Sequence, residues 1–256
     1  MVTAFLQGGL GNQMFQICAA YALARQHGDH AVFNFDQCHT PLQGKLSSHY
    51  ANGLFRNFSH STSLTIEHVY RESGHGFQII PYKPNLQIRG YFQSEKYFAA
   101  YRDELSSKFF LPPERIANAK RFLENMPGTT VAVHVRRGDY VRSPHVHSPC
   151  PASYYQQALN LFGDDAVFVF LSDEIQWVRN GVRGSRVFYS PFEDELDDLA
   201  LMIHSDHVVI ANSSFSWWGA YLNRNPNKRI IAPKIWFGPA GPKDQDDIVP
   251  ESWLKI

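Results

Sequence analysis

From Thr129 to Pro233 the chain alternates short β-branched apolar runs with segments of helical spacing, and that alternation restricts the fold more than any other feature. The runs TTVAVHV, AVFVFLS, RVFYS, HVVIAN and RIIAP are separated by ASYYQQALNLFG, IQWVRNG, EDELDDLALMIHS and SSFSWWGAYLNR. Parallel strands need long crossover connections, usually helices, so this pattern predicts a parallel sheet covered on both faces. Ligands of such a sheet bind beyond the carboxyl ends of its strands, which directs attention to the residues just after each apolar run.

The half from residue 128 onward therefore reads as a Rossmann-type domain. The chain begins in the same manner: VTAFLQ predicts a strand, Gly8, Gly9 and Gly11 a turn, and GNQMFQICAAYALARQHG a helix closed by Gly28, with VFNFD as the next strand. Residues 39–95 carry only short apolar runs, FQIIPY and LQIRGYF. Helical spacing returns in SEKYFAAYRDELSSKFF and in PPERIANAKRFLENM, where Pro112 and Pro113 suit a helix start. Pro127-Gly128 is the expected boundary, giving domains 1–127 and 128–256. No repeat or low-complexity tract interrupts this organisation.

Three loops after predicted strands carry chemistry. After TTVAVHV come Arg136, Arg137, Gly138 and Asp139. Strand alternation points Arg136 and Arg137 in opposite directions, so one can enter the crevice while the other pairs with a carboxylate such as Asp139. A guanidinium fork stays charged and matches two phosphate oxygens, which suits a diphosphate leaving group. After AVFVFL come Ser172, Asp173 and Glu174, and after HVVIA come Asn212, Ser213 and Ser214, opening an apolar helix. A helix start exposes free N–H groups and attracts anions, although side-chain capping by Asn or Ser explains the same residues. Trp217 and Trp218 read as core, and Phe215 as core or as the wall of a base pocket.

The balance of 24 Lys plus Arg against 24 Asp plus Glu removes any global field that would gather nucleic acid or anionic lipid, so anion binding must be local. No segment approaches the roughly 20 apolar residues that span a bilayer, and glycines interrupt the N-terminal apolar stretch before a signal-peptide core is complete. The expectation is a cytoplasmic protein, with peripheral membrane association left open. Cys18, Cys38 and Cys150 are scattered and odd in number, a poor disulfide framework, and are expected to be reduced. His145, His147 and Cys150 form an incomplete ligand set in a proline-rich loop, and Asp244-Gln245-Asp246 sits in a Pro- and Gly-rich tail, so an irregular loop and a solvated turn are the preferred readings over metal sites.

Taken in order, GGLGNQMFQ at 8–16, GYFQSEKYF at 90–98, HVRRGDY at 134–140, LSDE at 171–174 and ANSSFSWWGA at 211–220 closely resemble the bacterial alpha-1,2-fucosyltransferases of glycosyltransferase family 11. The resemblance spans nearly the whole chain, except residues 39–89. It implies a GT-B-like fold of two Rossmann-type domains with an interdomain cleft, the C-terminal half binding GDP-fucose and the N-terminal half mainly serving the acceptor. It further implies inversion from a beta-linked donor to an alpha-1,2 linkage on a galactose-containing acceptor, with no metal or other cofactor. Carried over residue by residue, it places Arg136 on the donor β-phosphate and His134 near the nucleotide. Ser213, Ser214 and Phe215 match the phosphate-side turn, while Asn12, beside Gly11 in the glycine turn, approaches the sugar. Asp198 matches an aspartate that reads guanine, with Asp197 and Asp194 as alternatives. Asp173 belongs with the donor-binding residues, and Arg136, Asn12 and Asp139 are the catalytic candidates. For a general base Asp139, His134 and Glu95 all remain, because no spacing selects one; a loose, dissociative transition state would need little base.

Two rivals remain. A non-catalytic carbohydrate-binding protein would use the aromatic content, 14% of residues, for sugar stacking, yet leaves the arginine loop unexplained. A transferase with another donor sugar or another linkage, such as alpha-1,6, uses the same loops.

Overall fold

The computed structural model describes residues 1–36 and 44–256. Cys38 and the first residues of the 39–89 stretch lie outside the described residues. The chain divides into two compact units, Met1–Phe110 with Lys243–Pro250, and Leu111–Pro242 with Glu251–Ile256.

The first unit contains β1 (Val2–Ala4), α1 (Leu10–Gln26), α2 (Ser47–Ala51), β2 (His68–Arg71), β3 (Leu86–Arg89) and α3 (Arg102–Lys108). Its strands form a parallel sheet in the order β1-β3-β2, with Val2 opposite Leu86 and His68 opposite the same residue. The α1 helix is buried along most of its length, through Met14, Phe15, Ile17, Cys18, Ala19 and Ala20. It ends before Gly28 as its spacing predicts. The strand expected at VFNFD is reduced to isolated parallel bridges, Val2 to Ala31 and Phe33 to His60. Phe33, Phe35 and Phe55 are instead core residues, so their apolar character reports burial rather than strand pairing. Likewise FQIIPY forms no strand, and SEKYFAAYRDELSSKFF forms two 3₁₀ turns before α3 rather than one helix.

The second unit contains α4 (Pro113–Glu124), β4 (Thr129–Val135), α5 (Gly138–Arg142), α6 (Ala152–Leu159), β5 (Ala166–Ser172), α7 (Ile175–Gly181), β6 (Val187–Tyr189), α8 (Glu195–His204), β7 (His207–Val209), α9 (Ser214–Leu222), β8 (Ile230–Ala232) and β9 (Leu254–Lys255). All six strands are parallel, in the order β6-β5-β4-β7-β8-β9. Counted from β4 as the first strand, this is the doubly wound order 3-2-1-4-5-6, and its switch point falls between β4 and β7. The core joins Val131, Val133 and Val135 of β4 to Phe168 and Phe170 of β5, Val209 of β7 and Ile231 of β8. Trp217 and Trp218 are fully buried, as the core reading expected, with Trp217 stacked on Tyr221 at 4.5 Å between ring centroids.

The unit border lies at Phe110 and Leu111, ahead of the Pro127-Gly128 position expected from sequence. The reason is packing: α4 lies along α8, and Arg115 of α4 pairs with Asp194 and Asp197 at 3.0 and 2.6 Å. A helix that looks like the end of one half in sequence thus packs on a helix of the other.

Candidate active site

The switch point brings two loops together within the second unit. The pairing of β4 with β5 runs to Val135 opposite Ser172, so the next residues, Arg136 and Asp173, leave the sheet side by side. Arg136 Nη1 lies 3.2 Å from Asp173 Oδ2, and Nη2 donates to Asp139 Oδ1 at 2.5 Å. On the other side β7 leads through Ile210 and Ala211 to Asn212. Tyr140 closes the gap: its hydroxyl donates to the Asn212 carbonyl at 2.9 Å while the Arg136 guanidinium lies 5.4 Å from its ring centre.

These contacts revise the expected division of the two arginines. Asp139 pairs with Arg136, not with Arg137. Arg137 donates from Nε to Glu174 Oε2 at 2.9 Å and lies 3.5 Å over the Trp177 ring. Asp139 reaches Arg136 because α5 begins directly after the arginines and turns it back, whereas Glu174 reaches Arg137 from the loop after β5. Gly138 permits the crowding: its φ is +20°, and a Cβ there would stand 2.5 Å from Asp173 Oδ2.

His134 precedes Arg136 by two residues and shares its strand face. Its ring centre is 5.6 Å from that of Phe215, and its Nδ1 is buried without a partner. Burial first, and the Arg136 charge second, push the imidazole down to about 3. Both causes weaken it as a base.

The start of α9 is open. Ser213 occupies the N-cap position but its side chain makes no capping bond, and the first turn holds no acidic residue. The capping reading therefore fails for Ser213, and the helix start keeps its partial positive charge. Asn212 is structural: Nδ2 donates to the carbonyls of Ser148 and Trp236 at 2.9 and 2.7 Å, and Oδ1 accepts from the Cys150 thiol at 3.4 Å.

The three acids of α8 separate by their partners. Asp194 caps its own helix by accepting from the Leu196 N–H at 2.8 Å, and with Asp197 it holds Arg115. Asp198 turns instead to the end of β6, where Ser190 Oγ donates to its Oδ1 at 2.5 Å. Burial, against the Ser190 bond and helped by the neighbouring acids, raises its carboxyl to about 7. Sequence reasoning had not singled out Ser190, although it follows an apolar run just as Asp173 does.

In the first unit, β1 and β3 are parallel neighbours, so the glycine turn after β1 and the GYFQ turn after β3 emerge together. Gln93 Nε2 donates to Asn12 Oδ1 at 2.7 Å. Gly11 is buried within the first turn of α1, and Glu95 begins the 3₁₀ turn that follows Gln93. Of the DQD tripeptide, Asp244 ties the turn to the first sheet's loop: its Oδ2 accepts from the N–H groups of His75 and Gly76 at 2.6 and 3.1 Å, while Asp246 is exposed. These bonds hold the Asp244 carboxyl below its ordinary value. Among the described residues no group of three His, Cys, Asp or Glu is placed to hold a metal ion. His147 stacks on Tyr140 at 4.7 Å, and Cys18 and Cys150 are free thiols. Among the described residues no helix is long and apolar enough to cross a membrane.

The chain is 29% identical to an alpha-1,2-colitosyltransferase of Escherichia coli, over 100% of this chain and 99% of that one. It is 32% identical to galactoside alpha-(1,2)-fucosyltransferase 2 of Oryctolagus cuniculus, over 87% of this chain and 67% of that one. Among solved structures, the fucosyltransferase NodZ from Bradyrhizobium superposes with a TM-score of 0.58 at 14% identity, covering 86% of this chain and 92% of that one. That likeness shows the fold, which is α/β of the GT-B type. The sequence profile of Glycosyl transferase family 11 matches residues 1–256. The chain therefore belongs to glycosyl transferase family 11 and is a glycosyltransferase.

Proposed function

We propose that this chain transfers L-fucose from GDP-beta-L-fucose to the 2-hydroxyl of a galactose-containing acceptor, with inversion, forming an alpha-1,2 linkage. The observation that carries the reading is that a guanidinium, Arg136, and the uncapped start of α9 both follow the neighbouring strands β4 and β7 at the switch point. Two positive features at one sheet edge suit a diphosphate whose charge grows as it departs. The relatives named for alpha-1,2 transfer support the linkage.

In this mechanism the acceptor 2-hydroxyl oxygen attacks the fucose anomeric carbon and the bond from that carbon to the β-phosphate oxygen breaks. GDP leaves with the bonding pair, against Arg136 and the N–H groups of Ser214 and Phe215. Asp139 orients Arg136 through Oδ1, and its buried, unpartnered Oδ2 is left to take the acceptor proton. Asp198 accepts from the guanine N1 and N2 donors, since Asp194 and Asp197 are committed to Arg115. Asn12 donates to the transferred sugar, and His134 and Phe215 line the nucleotide. Asp173 acts on the donor side through Arg136. The positive groups neutralise the leaving group directly, so no metal ion is assigned a step.

A second donor has support in the relative named for colitosyl transfer, because colitose is fucose without its 3-hydroxyl. Competition among GDP-fucose, GDP-colitose, GDP-mannose and UDP-galactose on a lactose acceptor in the presence of a chelator tests donor and metal together. Preference for GDP-fucose with an alpha-1,2 product supports the proposal. A preferred UDP donor, an alpha-1,6 product or abolition by chelator overturns it.

A further inference from the structure

Gln93 sits in the GYFQ turn after β3 and is 8% exposed. Its Nε2 donates to Asn12 Oδ1 at 2.7 Å across 81 residues of sequence. The other end of the Asn12 amide, Nδ2, lies over Gly8, where an added Cβ would stand 2.5 Å from it and where φ is +75°. The glycine turn thus leaves bare backbone beneath this amide. A carboxamide turned over keeps its shape and exchanges donor for acceptor, so the partner of its oxygen decides which atom it offers.

The turn that carries Gln93 is itself held. Glu72 accepts from the Tyr91 N–H at 2.6 Å and from the Phe92 N–H at 3.0 Å. Phe92 has a φ of +51° and a fully buried ring. A bulky residue stays in that region only where its surroundings over-determine it. Glu72 supplies that constraint, and the next residue in the chain is Gln93.

We propose that Gln93 is a positioning residue for transfer: by donating to Oδ1 it fixes the Asn12 carboxamide with Nδ2 as the offered donor. The inference rests on the assignment of Asn12 to the sugar and extends it to the group that sets its polarity. A reversed amide would offer a carbonyl to sugar oxygens that need a donor.

Gln93→Glu keeps the shape and removes the donor, so the Asn12 amide must turn its Nδ2 toward the new carboxylate. The expected result is a fall in kcat of roughly 10- to 100-fold, the scale of misplacing a contact at the reacting centre, with little change in KM for GDP-fucose; the buried carboxylate lowers the melting temperature, so kcat is measured well below that transition. Gln93→Met, which neither donates nor accepts, should lose less than the Glu variant. Asn12→Asp removes the donor whatever Gln93 does, so adding Gln93→Glu to it should cost nothing more. Normal kcat in Gln93→Glu beside an inactive Asn12→Asp would overturn the positioning role and leave the Asn12 assignment intact. So would additive losses in the double variant, or a Met variant slower than the Glu variant. Full activity in Asn12→Asp would overturn the assignment of Asn12 itself.

Discussion

Two helices of the second unit, α8 and α9, start in opposite electrostatic states. The N-terminus of α8 is closed by the Asp194 side chain and surrounded by Glu195, Asp197 and Asp198, whereas α9 follows Ser213 with no side-chain cap and no acid in its first turn. Both carry the partial positive charge of a helix start. At α8 the protein neutralises it with its own carboxylates; at α9 it is left for something else. On the proposed reading that something is an anion, held at α9, while α8 presents Asp198 to the nucleotide.

The contrast can be broken most severely at the arginine. Arg136→Ala should lower kcat/KM by about 10²- to 10³-fold, the usual effect of removing one donor to a developing negative charge, with the fold retained by circular dichroism. Near-normal turnover would detach the open α9 start from any diphosphate. Next, Ser213→Asp would make the α9 start resemble that of α8. GDP affinity, measured by calorimetry, should then fall by about tenfold or more, since a carboxylate would compete for the same N–H groups at a cost near 1–2 kcal/mol.

Asp198→Asn sharpens the other half of the comparison. It replaces the acceptor proposed for guanine with a donor and should weaken GDP binding by about 1–3 kcal/mol while sparing binding of a nucleotide that lacks the N1 and N2 donors. The pH dependence follows in sign. The Asp198 carboxyl is raised to about 7 in the folded protein, and on the proposed reading guanine takes its ionised form. GDP affinity should therefore fall as pH drops from 8 to 6, with proton release on binding, and Asp198→Asn should flatten this response. For the unliganded fold the same shift works against stability: with the folded value above the unfolded one, stability declines as pH rises from about 4 to about 7. The smallest effect belongs to Asp194→Ala, which uncaps α8 at about 1 kcal/mol of stability and should leave GDP affinity unchanged. A large loss of affinity there would show that α8, too, acts on the nucleotide.

Much of the second unit was legible in the chain because strand and helix periodicities are local, and because the loops that matter follow directly on apolar runs. Arg136, Asp173 and Ser213 could be found that way. The first unit was harder to read. Its strands β2 and β3 are short, and the aromatic residues Phe33, Phe35 and Phe55 pack as a core cluster in a region that is mostly irregular. Gln93 escaped notice even though it stands inside a quoted motif, since its significance depends on a neighbour 81 residues away. Glu174 and Tyr140, also within motifs, become informative only once their partners Arg137 and Asn212 are known.

What the sequence alone determined was the alternation that requires a parallel sheet, the placement of Arg136, Asp173 and Ser213 at strand ends, and the family to which the motifs belong. The tertiary structure decided which groups meet. It made β4 and β7 neighbours, gave Asp139 to Arg136 and Glu174 to Arg137, left Asp198 apart from the acids that Arg115 engages, and joined α4 to the second unit. The physical reason is that periodicity follows from the backbone and its nearest residues, whereas a charge or an amide takes its partner from whatever the packed chain brings within 3 Å of it.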